Sequence, residues 1–201
     1  LKINGNKDNP VIFEGDRLDN NYTEKPGQWR GIHFYRGSIN NEIRHTIIKN
    51  ATIGIWVDSL PENSNPNLII KNTVIKNITA YGILGLTAKI QAINSVISNC
   101  GANTVLMYYG GDYDFRHCSF HSNTKDPHII ANNILRNENK VVIRTYDMKY
   151  VFINCILWGP EGKDASASGE DIEETKISSS GFLNCIVKAK QQIRGDTRDR
   201  K

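Results

Sequence analysis

A short apolar segment that ends in asparagine recurs along this chain at nearly regular intervals. Its copies are Thr46–Asn50, Thr73–Asn77, Ser95–Asn99 and, more loosely, Ser119–Asn123. Counted from one final asparagine to the next, the steps are 27, 22 and 24 residues. A repeat of this length is typical of a solenoid, in which each repeat is one supersecondary unit and stacked repeats share a continuous core.

Each repeat carries a second apolar segment, and a further pattern recurs toward the end of the chain. The second segments are Ile53–Val57, Tyr81–Leu86 and Val105–Tyr109, and the further pattern comprises Phe115–Phe120, Phe152–Leu157 and Phe182–Val187. Short segments rich in Ile and Val, separated by Asn, Gly and Asp, are typical of strands and are too closely spaced for helices or βαβ units. We therefore predict an all-β fold, a right-handed single-stranded parallel β-helix (solenoid) of about six to seven coils.

Stacked coils place equivalent strands about 4.8 Å apart, so that equivalent side chains lie above one another. We expect one inward column of apolar residues, comprising Ile47, Val74, Val96 and Phe120. We also expect a ladder of asparagines at a turn, because Asn tolerates left-handed backbone angles. This ladder comprises Asn50, Asn77, Asn99 and Asn123, and the alternative role of the Asn-x-Thr triplets at Asn50, Asn77 and Asn21 is glycosylation.

The four cysteines have spacings that fit neither a zinc site nor a compact disulfide scaffold. Cys118, Cys155 and Cys185 occupy equivalent repeat positions, where small apolar thiols suit an inward column. We predict a reduced core ladder and no metal site. A disulfide is the alternative, because stacked coils bring α-carbons within bonding range.

Charge is mixed along the chain, with 25 basic and 21 acidic residues and no strip of one sign. This distribution of charge predicts no nucleic-acid partner. The chain also has no apolar run that approaches the roughly 20 residues of a membrane-spanning helix.

We predict one β-helix domain over residues 1–190 and a charged tail over residues 191–201. Because alternation begins already at Leu1–Ile3, we expect the domain to be truncated at its N-terminus, with an export signal upstream.

Several segments of the chain resemble right-handed β-helix proteins of the pectate-lyase-like superfamily. They are Leu1–Gly5, Pro10–Asp16, Pro26–Ile32 and the coils of Ile-x-Asn-Cys-Ile style, Phe152–Leu157 and Phe182–Val187. More narrowly, they resemble uncharacterised exported or lipoprotein-type β-helix proteins of Bacteroides. The resemblance implies a bacterial, extracytoplasmic protein at the cell surface or secreted, with a polysaccharide or surface protein as partner and a lipid anchor upstream. It implies little about activity, because the superfamily includes lyases, hydrolases, epimerases and non-catalytic adhesins.

Insertions between repeats and one acidic pair are the candidates for function. The insertions are Asp16–Gln28, Ser59–Asn67 and Gly159–Ser180, and loops on one side of a solenoid often build its binding face.

Asp112 and Asp114 lie two residues apart, which puts both on one side of a strand. With Arg116 and His117 they are the candidate catalytic cluster, and calcium would be needed only by a lyase. The alternative is a solvated turn.

Aromatic residues exposed on a solenoid can stack on the apolar faces of sugar rings. The candidates for ligand binding are Trp29, Tyr35, Tyr108, Tyr109 and Tyr113. Trp29 has the alternative role of anchoring its own loop. Tyr108 and Tyr109 should point to opposite sides of a strand, so that one of them faces outward.

Three functions are compatible with these features. The first is a non-catalytic cell-surface or secreted β-helix protein that binds glycans or other proteins and needs no cofactor. The alternative is a carbohydrate-active enzyme, either a polysaccharide lyase or a glycoside hydrolase. The third is a structural spacer of a larger exported protein. We favour the first, because the repeat is clear and an acid/base site is not.

Overall fold

The computed structural model describes residues 1–58, 65–121, 129–158 and 177–187, and side chains of 177–180 are outside the description. The strands of this part, in chain order, are β1 (Lys2–Asn4), β2 (Val11–Phe13), β3 (Ile32–Phe34), β4 (Asn41–Arg44), β5 (Thr46–Lys49), β6 (Ile55–Asp58), β7 (Leu68–Lys71), β8 (Val74–Ile78), β9 (Ile83–Ile93), β10 (Val96–Cys100), β11 (Val105–Arg116), β12 (Ser119–His121), β13 (Ile129–Asn132), β14 (Ile134–Arg136), β15 (Val142–Thr145), β16 (Met148–Ile153), β17 (Ile156–Trp158), β18 (Ile177–Leu183) and β19 (Ile186–Val187). Asn123 and the tail 191–201 lie outside the described residues, as do residues 59–64 and 159–176 of two predicted insertions.

The strands form three faces of a parallel β-helix. Face 1 has the order β1-β4-β7-β9-β11-β16-β18, and face 2 has the order β2-β5-β8-β10-β12-β17-β19. Face 3 comprises β3, β6, the first halves of β9 and β11, and β13. Each of the first five coils visits faces 1, 2 and 3 in turn, and all described strand pairs within the faces are parallel. The predicted β-helix is confirmed.

One residue with a left-handed backbone joins face 1 to face 2 in each coil after the first. These residues, with φ between 46° and 54°, are His45, Asn72, Asn94, His117, Asn154 and Asn184. The small side chain that follows each of them donates a hydrogen bond to the carbonyl two residues earlier. These donors are Thr46, Thr73, Ser95, Cys118, Cys155 and Cys185. The predicted cysteine ladder is therefore present, and its thiols take the place that hydroxyl groups hold in earlier coils.

A second left-handed position joins face 2 to face 3. Asn50, Asn77 and Asn99 have φ of 61°, 55° and 52° there. The Asn99 amide donates to Asn77 Oδ1 at 2.6 Å, and the Asn77 amide approaches Asn50 Oδ1 at 3.5 Å. The predicted turn ladder is confirmed for these three residues, and Asn50 and Asn77 are buried in it.

The predicted inward column of face 2 is confirmed for Phe120 and wrong by one residue for Ile47, Val74 and Val96. The buried column comprises Ile48, Ile75, Ile97 and Phe120, whereas Ile47, Val74 and Val96 point outward. Val96 is 40% exposed. Both positions are aliphatic, so alternation alone does not choose between them. The left-handed turn decides which of the two positions is buried, because the residue two positions before each turn asparagine points into the core.

Candidate functional site

The predicted acidic pair lies on the outer side of face 1, where cations surround it. Asp114 accepts two hydrogen bonds from Arg116, at 2.8 Å from Nε and 2.7 Å from Nη2. Asp112 Oδ2 lies 3.5 Å from Lys89 Nζ, and its Oδ1 lies 3.9 Å from Lys149 Nζ. The hydrogen bond and charge of Asp114 raise the pKa of Arg116. Neither carboxylate is in contact with the other, and each is neutralised by a neighbour.

A similar group of ion pairs lies near the β1 end of the outer side of face 1. Glu42 lies between Lys2 at 3.6 Å, Arg44 at 2.5 Å and Lys71 at 3.8 Å, and the Arg44 hydrogen bond is the main cause of its lowered pKa. An open depression beside Asp114 is lined by Gln91, Ile93, Asp114 and Arg116. Opposite charges on neighbouring strands favour the observed register. No group of three or more His, Cys, Asp or Glu side chains that could hold a metal ion occurs in the described part of the chain.

Tyr113, a predicted ligand-binding residue, lies inside the β-helix and is fully buried. Its hydroxyl donates to the Gly110 carbonyl at 3.2 Å and accepts from the Ala88 amide at 3.3 Å. Burial raises the pKa of this hydroxyl well above its usual range. The sequence contains a signal for this orientation, because Tyr113 stands between two outward acids of one strand and must point the other way.

Trp29 has the second of its two predicted roles, which is to anchor its own loop against the β-helix. Its Nε1 donates to the Lys49 carbonyl at 2.8 Å, and its backbone bridges to Ala51. Its ring stacks with Phe13 at a centroid distance of 6.3 Å and packs against the core. These contacts hold the segment before β3 against the turn between faces 2 and 3.

Tyr108 and Tyr109 are both half-buried, and their rings lie 5.4 Å apart. The expectation that they point to opposite sides is wrong, because Tyr109 has a φ of 59° and interrupts the alternation. The Tyr109 ring also lies 6.0 Å from that of Tyr146. The two tyrosines therefore belong to one aromatic group at the bend between faces 3 and 1.

Tyr35 belongs to a cluster on the outer side of face 3 that we call the His33 cluster, comprising His33, Tyr35, Trp56 and Asp58. Tyr35 is 68% exposed, and its ring centroid lies 4.0 Å from that of His33. The His33 ring stacks on Trp56 at 4.1 Å, with 14° between the planes. His33 Nε2 lies 2.9 Å from Asp58 Oδ2. The cluster thus combines an open aromatic ring with a hydrogen-bonded histidine and carboxylate.

Pairing of β3 with β6 assembles this cluster. The register places His33 opposite Trp56, and alternation puts Tyr35 and Asp58 on the same outer side. The sequence reasoning identified Tyr35 and missed His33, Trp56 and Asp58. The available signal was the alternation in Ile32–Tyr35 and Ile55–Asp58, but it needed the register of the two coils to become a cluster.

Among the described residues, two buried polar atoms of the His33 cluster have no hydrogen-bond partner, namely Trp56 Nε1 and Asp58 Oδ1. An unsatisfied buried polar group costs about 1–3 kcal/mol. One of the two atoms is a donor and the other an acceptor.

The remainder of the outer side of face 3 is apolar or uncharged. Its outward residues in β9, β11 and β13 are Leu84, Leu86, Leu106, Tyr108, Ile130 and Asn132. Leu84 and Leu106 are buried even though they alternate with core residues. Among the outward residues of the described face 3 strands, Asp58 is the carboxylate and there is no lysine or arginine. The open aromatic surface is therefore at the β3 and β6 end.

Comparison with known proteins concerns the fold. Residues 2–120 match the family model described as "Right handed beta helix region". No curated protein and no solved structure matches the chain. In the described residues, no helix is long and apolar enough to cross a membrane. Because the match spans more than half of the 201 residues and the strands stack in parallel coils, the chain belongs to the right-handed β-helix family.

Proposed function

We propose that this protein is a non-catalytic, extracytoplasmic β-helix that binds glycans through the His33 cluster on face 3. The observation that carries the proposal is the Tyr35 ring, 68% exposed beside a hydrogen-bonding histidine and carboxylate. Flat aromatic rings suit the apolar faces of pyranoses, and the polar groups beside the ring can bind sugar hydroxyls.

The geometry of face 3 suits an extended ligand. Tyr35 and Tyr108 belong to one outward column, in which Asp58 and Leu86 lie between them. Three strand spacings of about 4.8 Å separate the two tyrosines by about 14 Å along the axis. A linear polymer lying across the coils could contact both rings, and weak contacts at two places on one chain reinforce each other.

The ion pairs of face 1 support the non-catalytic half of the proposal. General acid/base catalysis by Asp112 or Asp114 requires a carboxyl group placed to exchange a proton with the substrate. Asp112 and Asp114 are each held by basic side chains instead. Their positions fit a structural charge ladder across neighbouring strands.

A glycan array of the full chain, run with and without calcium, tests this function. We expect binding that does not require calcium and that Tyr35→Ala weakens at least tenfold. Because Tyr35 is exposed, the variant should keep the thermal midpoint of the wild type. Trp158→Ala, which removes an exposed aromatic ring from face 2, is the matched control and should bind as the wild type does.

The other outcomes are equally informative. Equal affinities of Tyr35→Ala and the wild type would move the site away from the His33 cluster. Unsaturated uronates released from a polyuronide, followed by ultraviolet absorbance, would identify an enzyme. Absence of both binding and product would favour the structural spacer.

A further inference from the structure

The outer side of face 2 carries one apolar column through all seven of its described strands, and we call this column the face 2 stripe. The register aligns its outward residues, which are Ile12, Ile47, Val74, Val96, Ser119, Ile156 and Ile186. All of them except Ser119 are aliphatic, and Ile12, Val96, Ile156 and Ile186 are 52%, 40%, 44% and 57% exposed. Outward positions of a sheet that faces water are usually polar, and a continuous exposed apolar patch marks an interaction surface.

Polar side chains border the face 2 stripe on both sides. On the side of face 1, the Asn94 amide donates to Asn72 Oδ1 at 2.7 Å. On the side of face 3, Lys49 Nζ lies 2.8 Å from Glu14 Oε2 and 3.6 Å from Glu24 Oε1. An apolar centre with a polar rim is the usual anatomy of a protein interface. Because Lys49 is paired within the chain, it leaves little net charge that would select an acidic partner or repel a second copy.

The outer side of face 2 has the area of a small dimer interface. Its seven described strands span about 29 Å along the axis, because neighbouring strands are about 4.8 Å apart. A coil crosses the face in about five residues, such as Thr46–Asn50, which corresponds to about 16 Å at about 3.3 Å per residue. Two copies packed face to face would therefore bury about 900 Å² as flat area, and more once the relief of the side chains is included. This is the low end for specific interfaces, so the dimer should dissociate in the micromolar range.

We propose that the face 2 stripe is a dimer interface, on which a second copy of this chain packs through the same stripe. Sheets that pack face to face lie about 10 Å apart and interdigitate their side chains. The side chains of the stripe repeat at about 4.8 Å, and no register shift interrupts the described pairs that build it. A second copy offers an apolar surface with the same repeat, so the two can interdigitate at every coil. The symmetric contact occupies both stripes and therefore ends at a dimer.

A lipid surface and a glycan fit the stripe less well. Binding to a bilayer gains from free cations beside the apolar residues, whereas Lys49 and Lys76 are paired with Glu14 and Glu24. Sugar rings stack on flat aromatic side chains, whereas the stripe consists of branched aliphatic ones.

Sedimentation velocity of the full chain over the micromolar range tests the proposal. β10 is the middle strand of face 2, with three described strands on either side, so a two-fold axis through the centre of the stripe brings Val96 against the same residue of the second copy. We expect a monomer–dimer equilibrium that Val96→Glu and Val96→Lys each weaken about tenfold or more, because like charges then meet. An equimolar mixture of the two variants should recover the dimer, because opposite charges meet instead. Val142→Glu, at a residue of β15 that is 45% exposed, is the matched control and should dimerise as the wild type does.

Val96→Thr serves where a charged variant does not fold, because it keeps a β-branched side chain of similar size in the strand. It should weaken the dimer about threefold or more, since its hydroxyl loses water in the interface. The proposal is overturned if the wild type stays monomeric, if the Val96 variants dimerise like the wild type, or if the assembly grows beyond a dimer. A mixture of Val96→Glu and Val96→Lys that stays monomeric would overturn the two-fold contact. Binding of a monomeric wild type to phosphatidylcholine vesicles, lost in Val96→Glu, would assign the stripe to a lipid surface instead.

Discussion

Asn77 shows how one residue orients its neighbours. Its φ of 55° turns the chain from face 2 to face 3, and Ile75, two residues earlier, is fully buried. Val74 points the other way and is half-buried. Asn adopts this left-handed conformation at low cost, which explains why it recurs at the turn. Which residues of a face 2 strand point into the core therefore depends on the turn asparagine, which is not itself apolar.

Substitution of the two neighbours tests this assignment. Ile75→Ala should lower the free energy of unfolding by about 2–5 kcal/mol, because it leaves a cavity in a packed core. Val74→Ala should cost about 1 kcal/mol or less, which is the range of strand propensity. Urea denaturation followed by tryptophan fluorescence measures both. A larger loss for Val74→Ala would mean that the two side chains are assigned to the wrong sides.

At the scale of an element, the loop of residues 16–28 is tied to the asparagine ladder. The Thr23 carbonyl accepts from the Asn50 amide at 2.9 Å and from Lys49 Nζ at 3.3 Å. Glu24 accepts from Lys76 Nζ at 3.0 Å and also from the Asn77 amide. This insertion was a candidate for the binding face, and the structure places it across the turn between faces 2 and 3. These contacts tie the loop to two consecutive coils, and we call residues 16–28 the clamp.

The clamp should depend on pH. The hydrogen bond from Lys76 is the main cause of the lowered pKa of Glu24, whose ordinary value is 4.5. A carboxyl with a lowered folded pKa stabilises the fold at neutral pH, and this contribution is lost as the pH falls below 4.5 through the folded pKa. Hydrogen exchange of residues 16–28, corrected for intrinsic rates, should therefore show protection that decreases with acid.

Variants separate Glu24 from other acids of the loop. Glu24→Gln should lower the protection of residues 16–28 at neutral pH and flatten its dependence on pH. Asp19→Asn, which removes a carboxylate paired with Arg17 at 3.5 Å, should leave the profile unchanged. Identical profiles for Glu24→Gln and the wild type would exclude Glu24 as the titrating contact.

At the scale of the whole molecule, the core changes composition along the axis. Isoleucines fill the early coils, whereas Phe115, Phe152 and Phe182 stack in the later ones at 4.8 and 4.9 Å. Phe120 meets two of these rings edge-on, each at 5.6 Å. In a solenoid each coil contacts only its neighbours, so the stability of one end depends little on the other.

Phe152→Leu should therefore weaken one end of the molecule more than the other. Loss of the stacked ring should cost about 1–2 kcal/mol locally, from aromatic contacts and a partly filled cavity. Hydrogen exchange should speed up in residues 148–153 and in the neighbouring half of β11, with β1 and β4 nearly unaffected. Equal acceleration in all strands would indicate a single cooperative unit instead.

The sequence by itself determined the coil, the turns and the cysteine ladder. Each depends on residues close together in the chain: alternating Ile and Val make short strands, and Asn50, Asn77 and Asn99 permit the left-handed turn. Repetition then makes stacking the way to bury the apolar sides. Tyr113 also had a local signal, in the two acids that flank it.

Tertiary structure decided what depends on register between coils. Steps of different length, 27 residues between Asn50 and Asn77 and 22 between Asn77 and Asn99, leave the alignment of one coil on the next open until the strands pair. Only that pairing brings His33 onto Trp56 and Asp58, and surrounds Asp112 with Lys89 and Lys149. The physical reason is that the apolar and polar alternation along one strand determines whether a side chain points into the core or outward. The pairing of that strand with the strands of neighbouring coils determines which side chains it contacts.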